Sequence, residues 1–189
     1  MSPAPTTSAA GPLRLRVPGR SLVLVAGVPG AGKSTLLRGL PPRPGVRVLD
    51  SESYRNRFAR VLPGTPYARV RPLVHLLHRS AAILAAAGRA PTVVVHLPAT
   101  GRGLRRGALR LARATGRSAH LVWVDAAPEE ALRGQARRGR MVAGRSFARH
   151  VVRAEGVAAR IADGRLDEPW AGAVVLDRGA AAHGLDLLG

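Results

Sequence analysis

One short segment constrains this chain more than any other. Residues 27–34 read GVPGAGKS, and the run that leads into them, SLVLVAG (21–27), is continuously apolar and of strand length. The three glycines permit a backbone turn that a β-carbon would obstruct. Such a turn aims successive N–H groups at one point, and a helix starting near Lys33 adds its positive end. The segment satisfies G-x-x-x-x-G-K-[ST] in the strand–loop–helix context that its mechanism needs, which a chance match in a glycine-rich chain would lack. Gly27, Pro29, Gly30, Ala31, Gly32, Lys33, Ser34 and Thr35 are therefore expected to surround a nucleoside triphosphate, ATP with Mg²⁺. Lys33 would reach the β- and γ-phosphates, and Ser34 would offer its hydroxyl to the metal with Thr35 behind it.

The rest of the chain repeats the alternation. VRVLD (46–50), TVVVHL (92–97), AHLVWVD (119–125) and AVVLD (173–177) are further apolar runs, each separated from the next by sequence with helical spacing. Pro72 suits the first turn of a helix over 72–87, and PEEALRGQARR (128–138) has proline and two glutamates at its start. Strands without polar alternation are buried on both faces, so the expectation is an α/β fold of three layers with a five-stranded parallel sheet. Residues 1–20 read as a disordered or loosely attached tail, although LRLRV (13–17) alternates and would also suit a short strand. Residues 21–189 form the expected domain.

Composition narrows the partners. No cysteine is present, so disulfides, thiolate metal sites and cysteine nucleophiles are excluded. No apolar run is long enough to cross a membrane, and the first twelve residues lack the basic and apolar parts of a signal peptide, so a cytoplasmic location is expected. The net charge is +19, and Lys33 is the only lysine among 30 basic residues. Arginine, alanine, glycine and proline all have GC-rich codons, so coding bias and an anionic partner both account for the arginines. At position 33 a compact ammonium is what fits among phosphates.

Beyond the loop, LDSESYR (49–55) closes the second strand. Asp50 and Glu52 are two apart, which in extended backbone puts them on one face at the carboxyl end, where α/β sheets bind ligands. Taken with GVPGAGKSTLL, VVVHLPAT and LVWVDAAPEEALRGQARRGR, this chain resembles a small P-loop kinase of the AAA-type ATP-binding group, over residues 21–177. It is similar to polynucleotide 5′-hydroxyl kinases, zeta toxins and chloramphenicol phosphotransferase, and LDSESYR resembles the L-D-G-D-x-x-R element of adenylylsulfate kinases. The resemblance implies a P-loop NTPase fold and transfer of the γ-phosphoryl of ATP to a hydroxyl, with Asp50 or Glu52 as the base and Arg55 holding the acceptor. It implies acceptor or phosphate contacts for Thr100 and Arg102. The acceptor is expected to be a small molecule ahead of a nucleic-acid end, because so few aromatic residues offer no stacking platform.

The pattern departs from many P-loop proteins at the third strand, which ends in His96 where they carry an aspartate for Mg²⁺. Either Asp50 assists the metal, or Mg²⁺ rests on Ser34 and phosphate, or catalysis has been lost. His96 is either a substrate contact or a satisfied buried histidine. An arginine-rich lid is expected after the fourth strand's helix, with Arg138 and Arg140 over the triphosphate. Arg102, Arg105, Arg106, Arg110 and Arg113 read as a basic helix face, and the His75/His78 pair lacks a third ligand for a metal. An ATPase or nucleotide switch without an acceptor, and a nucleic-acid-binding P-loop protein, are the alternatives.

Overall fold

The computed structural model describes residues 11–137 and 144–188. In chain order the elements are β1 (Leu13–Arg16), β2 (Ser21–Gly27), α1 (Lys33–Arg38), β3 (Val46–Leu49), α2 (Ser51–Val61), α3 (Tyr67–Ala87) and β4 (Thr92–His96). They continue with α4 (Arg102–Ala114), β5 (Ser118–Val124), α5 (Pro128–Ala136), α6 (Gly144–Ala162), β6 (Gly172–Leu176), α7 (Arg178–Ala182) and β7 (Leu185–Leu188). Five strands make one parallel sheet in the order β3-β4-β2-β5-β6, so the strand that enters the glycine-rich loop lies at its centre.

The apolar runs behave as their composition requires. Every residue of β2 and β4 is buried, because helices cover both faces. On one face Leu22, Val93, Val95 and Ala119 pack with Ala82, Ala85 and Ala86 of α3 and Ala112 of α4. On the other, Val23, Val25, Trp123 and Val174 pack with Leu36 and Leu37 of α1, with Phe147, Ala154, Val157 and Ile161 of α6, and with Ala180 and Ala181 of α7.

Two local expectations change. The helix expected from Pro72 starts five residues earlier, at Tyr67 with Pro66 as its N-cap, and Pro72 lies inside it. Segment 13–17 takes its strand alternative: β1 pairs in parallel with β7, and Val17 is buried. This second, two-stranded sheet is pinned by Arg43, whose guanidinium contacts the Leu187 carbonyl and lies 3.2 Å from Asp186.

Arg105 leaves the basic face assigned to it. It is 1% exposed and donates from Nε to Glu168 (2.7 Å) and from Nη1 to the carbonyls of Ala99 and Thr100 (both 3.0 Å). Trp170 Nε1 also donates to Glu168 at 3.2 Å. Removing one partner of such a buried pair strands the other charge, so Arg105→Met is expected to destabilise the fold by about 3 kcal/mol. A chemical-denaturation midpoint equal to wild type would contradict this.

Candidate phosphoryl-transfer site

The loop after β2 can be built only from glycine at two positions. Gly27 and Gly30 have φ of 135° and 93°. A Cβ on Gly27 would sit 2.1 Å from the Val124 carbonyl oxygen, and one on Gly30 would sit 2.0 Å from that of Ala131. Helix α5 therefore lies directly against the loop. Gln135 Nε2 donates to the Pro29 carbonyl (3.1 Å), and Arg178 Nη1 donates to the carbonyls of Gly30 (3.0 Å) and Glu130 (2.9 Å).

Neither Gln135 nor Arg178 was a sequence candidate. Arg178 follows the carboxyl end of β6, and that position was the available signal. Gln135 carried none, since the closeness of α5 to the loop is not written in its spacing.

Lys33 opens α1 behind Gly32 and is buried. Its ammonium lies inside the loop and donates to the carbonyls of Gly27 (2.9 Å) and Val28 (2.7 Å). Ser34 is buried beside it, and the Thr35 hydroxyl accepts from Arg38 at 3.3 Å.

Strand order brings the second carboxylate region to this loop. β4 lies between β2 and β3, so the carboxyl ends of β4 and then β3 lie to one side of the loop. Asp50 caps α2, accepting from the Glu52 N–H at 3.0 Å. The same oxygen accepts from His96 Nδ1 at 2.5 Å, and the Ser34 hydroxyl is near enough to favour the charged carboxylate as well. Burial by itself would raise the Asp50 pKa. The bond and charge from His96, the Glu52 N–H and the Ser34 hydroxyl outweigh it and hold Asp50 below the usual carboxylate range. Burial lowers the His96 pKa, Lys33 acts in the same direction, and Asp50 opposes both. His96 thus donates from Nδ1 to an ionised Asp50.

His96 occupies the end of β4, and the carboxylate beside Ser34 comes from the neighbouring strand. The expected extended pairing of Asp50 with Glu52 does not form, because the helix begins at Ser51 and Glu52 sits in its first turn.

The remaining candidates are dispersed around this centre. Arg55 on α2 stacks over the Tyr67 ring, 4.5 Å from its centroid. Thr100 Oγ1 pairs with His150 Nδ1 of α6 at 2.7 Å, and Ala99 before it has a strained φ of 37°. Arg105 grips both residues' carbonyls, which fixes this loop beside Gly27, whose N–H donates to the Pro98 carbonyl at 3.2 Å. Arg102 is turned aside, donating to Asp167 at 3.3 Å. Arg138 and Arg140 lie outside the described residues. Arg137 caps α5 and, with Glu130, Arg133, Ala136 and Arg178, lines a cavity of about 500 Å³. His78 is buried against the Leu49 carbonyl and the Tyr54 ring, while His75 accepts from Arg71.

Among the described residues, no cluster of three or more histidine, aspartate or glutamate side chains could hold a metal ion. Ser34 and Asp50 nevertheless present hard oxygen donors side by side. That set fits Mg²⁺, which takes one or two protein oxygens and completes its shell with phosphate and water.

Comparison with known proteins bears on the fold. The sequence profile of the AAA domain family matches residues 22–165. No curated protein matches the sequence. Among solved structures, the chain is similar to a component of the PezAT chromosomal toxin–antitoxin system of Streptococcus pneumoniae. The identity is 13% and the TM-score 0.57, over 93% of this chain and 71% of that one. It is also similar to a provisionally assigned kinase of Chloroflexus aurantiacus, at 14% identity and a TM-score of 0.53, over 84% and 88% of the two chains. At these identities the likeness establishes the shared fold. The chain belongs to the AAA domain family and has a P-loop NTPase fold.

Proposed function

We propose that this protein transfers the γ-phosphoryl group of ATP to a hydroxyl on an acceptor. The observation that carries the reading is an ionised Asp50 hydrogen-bonded to His96 and to the Glu52 N–H at the rim of the lysine-bearing loop. A nucleotide switch has little use for a carboxylate held there, whereas an acceptor hydroxyl needs an oriented hydrogen-bond acceptor.

In this reading the loop N–H groups and Lys33 hold the triphosphate. Mg²⁺, held by Ser34 with Asp50 beside it, would neutralise phosphate charge. The acceptor oxygen bonds to the γ-phosphorus as the bond to the β,γ-bridging oxygen breaks. ADP leaves, and the hydroxyl proton passes to a carboxylate of the rim, Asp50 or Glu52. Arg55 and Thr100 would hold the acceptor, Arg102 at greater distance. Arg138 and Arg140 would close over the phosphates, a role that rests on their place after α5.

His96 is a positioning residue in this scheme, and its test is a pH profile. Asp50 works when ionised, so activity falls as pH drops through its pKa. His96 helps hold that pKa down against burial. His96→Gln is therefore expected to move the acidic limb of kcat/KM to higher pH, with activity recovering at alkaline pH. An unmoved limb would show that His96 does not set the charge state of Asp50.

A further inference from the structure

Helix α3 carries a surface that neither catalysis nor the core accounts for. Val74, His78, Ala82, Ala85 and Ala86 face the sheet. On the opposite side Leu73, Leu76 and Leu77 are followed, one heptad after the last two, by Ile83 and Leu84. All five are exposed: Leu76 by 61%, Ile83 by 54% and Leu84 by 71%. Single exposed leucines are ordinary, but five in register along one helix form a continuous seam.

A slot adjoins the seam. Between α3 and α4 lies an apolar cavity of about 370 Å³, floored by Leu22, Leu24, Val95 and Leu97 of the sheet side, with Ile83 at its α3 edge. Gly103 and Gly107, one turn apart on α4, form its other edge, and a Cβ added to either would meet no atom within 4 Å. The two glycines leave open a space that larger residues would fill. Glycine in a helix interior also costs stability, which an unused gap would not offset.

The charges on α3 have one sign. The helix carries Arg69, Arg71 and Arg79 and no carboxylate. Arg79 borders the slot itself. A second copy of this chain laid along the seam would set arginine against arginine. A flat lipid surface would cover the seam but not enter the slot. We propose that α3 and the α3/α4 slot form a docking surface for an acidic amphipathic helix of a partner protein. Its apolar stripe would pair with Leu73, Leu76, Leu77, Ile83 and Leu84, one large apolar side chain would enter the slot, and its carboxylates would meet the flanking arginines.

The test uses the full chain and a labelled synthetic helical peptide of about three heptads, with leucine at a and d and mainly glutamate elsewhere. Two control peptides are a scrambled version and one with lysine in place of glutamate. Fluorescence anisotropy should show saturable binding of the acidic amphipathic peptide only. Binding should weaken at least tenfold in Leu76→Gln/Leu84→Gln and in Gly107→Leu, while the thermal midpoint of Gly107→Leu stays level or rises. Equal binding of the scrambled peptide, or unchanged binding by the variants, would overturn the proposal. So would a wild-type dimer in sedimentation that the leucine variants dissociate, which assigns the face to a second copy. So, too, would loss in those variants of binding to anionic phosphatidylglycerol vesicles when the peptide does not bind at all, which assigns it to a membrane.

Discussion

Lys33→Ala is expected to lower phosphoryl transfer about 10³-fold, at the upper end for loss of one preorganised charge donor. The ammonium is already inside the loop, on the carbonyls of Gly27 and Val28, and needs little rearrangement to meet phosphate oxygens. The chain has no other lysine. Lys33→Arg should fail almost as badly, because a planar guanidinium does not fit a space shaped for a compact ammonium. The core around α1 rests on Leu36 and Leu37, so both variants should remain folded. Acceptor phosphorylation measured beside circular dichroism checks this. A folded Lys33→Ala protein with full activity would remove the loop from the chemistry.

Asp50→Asn is expected to lower transfer by about 10²-fold or more, the usual scale for a general base, with ATP binding retained. The substitution keeps the shape of the helix cap, and an amide oxygen still accepts from the Glu52 N–H. It removes the charge that His96 and Ser34 are arranged to hold. Glu52→Gln separates the two carboxylates: if Glu52 is the base, that variant loses transfer by a similar factor. Recovery of Asp50→Asn at high Mg²⁺ would assign Asp50 to the metal and leave the base to Glu52. Normal transfer in both variants would move the acceptor site elsewhere.

The glycine-rich loop was legible in the sequence because its chemistry demands a fixed spacing and its glycines are irreplaceable, as the approaches of Val124 and Ala131 show. The parallel sheet was legible because strands buried on both faces need continuous apolar runs. What escaped depends on which elements lie side by side. Asp50 and His96 are 46 residues apart and meet because β3 and β4 are neighbours. Arg178 meets Gly30 across 148 residues. Arg105 was read as one of a row of exposed arginines, and only its distant partner Glu168 explains its burial. The start of α3 was misplaced because Pro72 looked like a first-turn residue while Pro66, six earlier, holds that end.

The most direct test of phosphoryl transfer is to incubate the protein with γ-labelled ATP, Mg²⁺ and a panel of hydroxyl-bearing acceptors: sugars, nucleosides, nucleotide sugars and oligonucleotides with free 5′-hydroxyls. The account predicts label appearing on one class of acceptor, dependent on Lys33 and Asp50. Label released only as inorganic phosphate, at a rate that no acceptor changes, would contradict it and identify an ATPase.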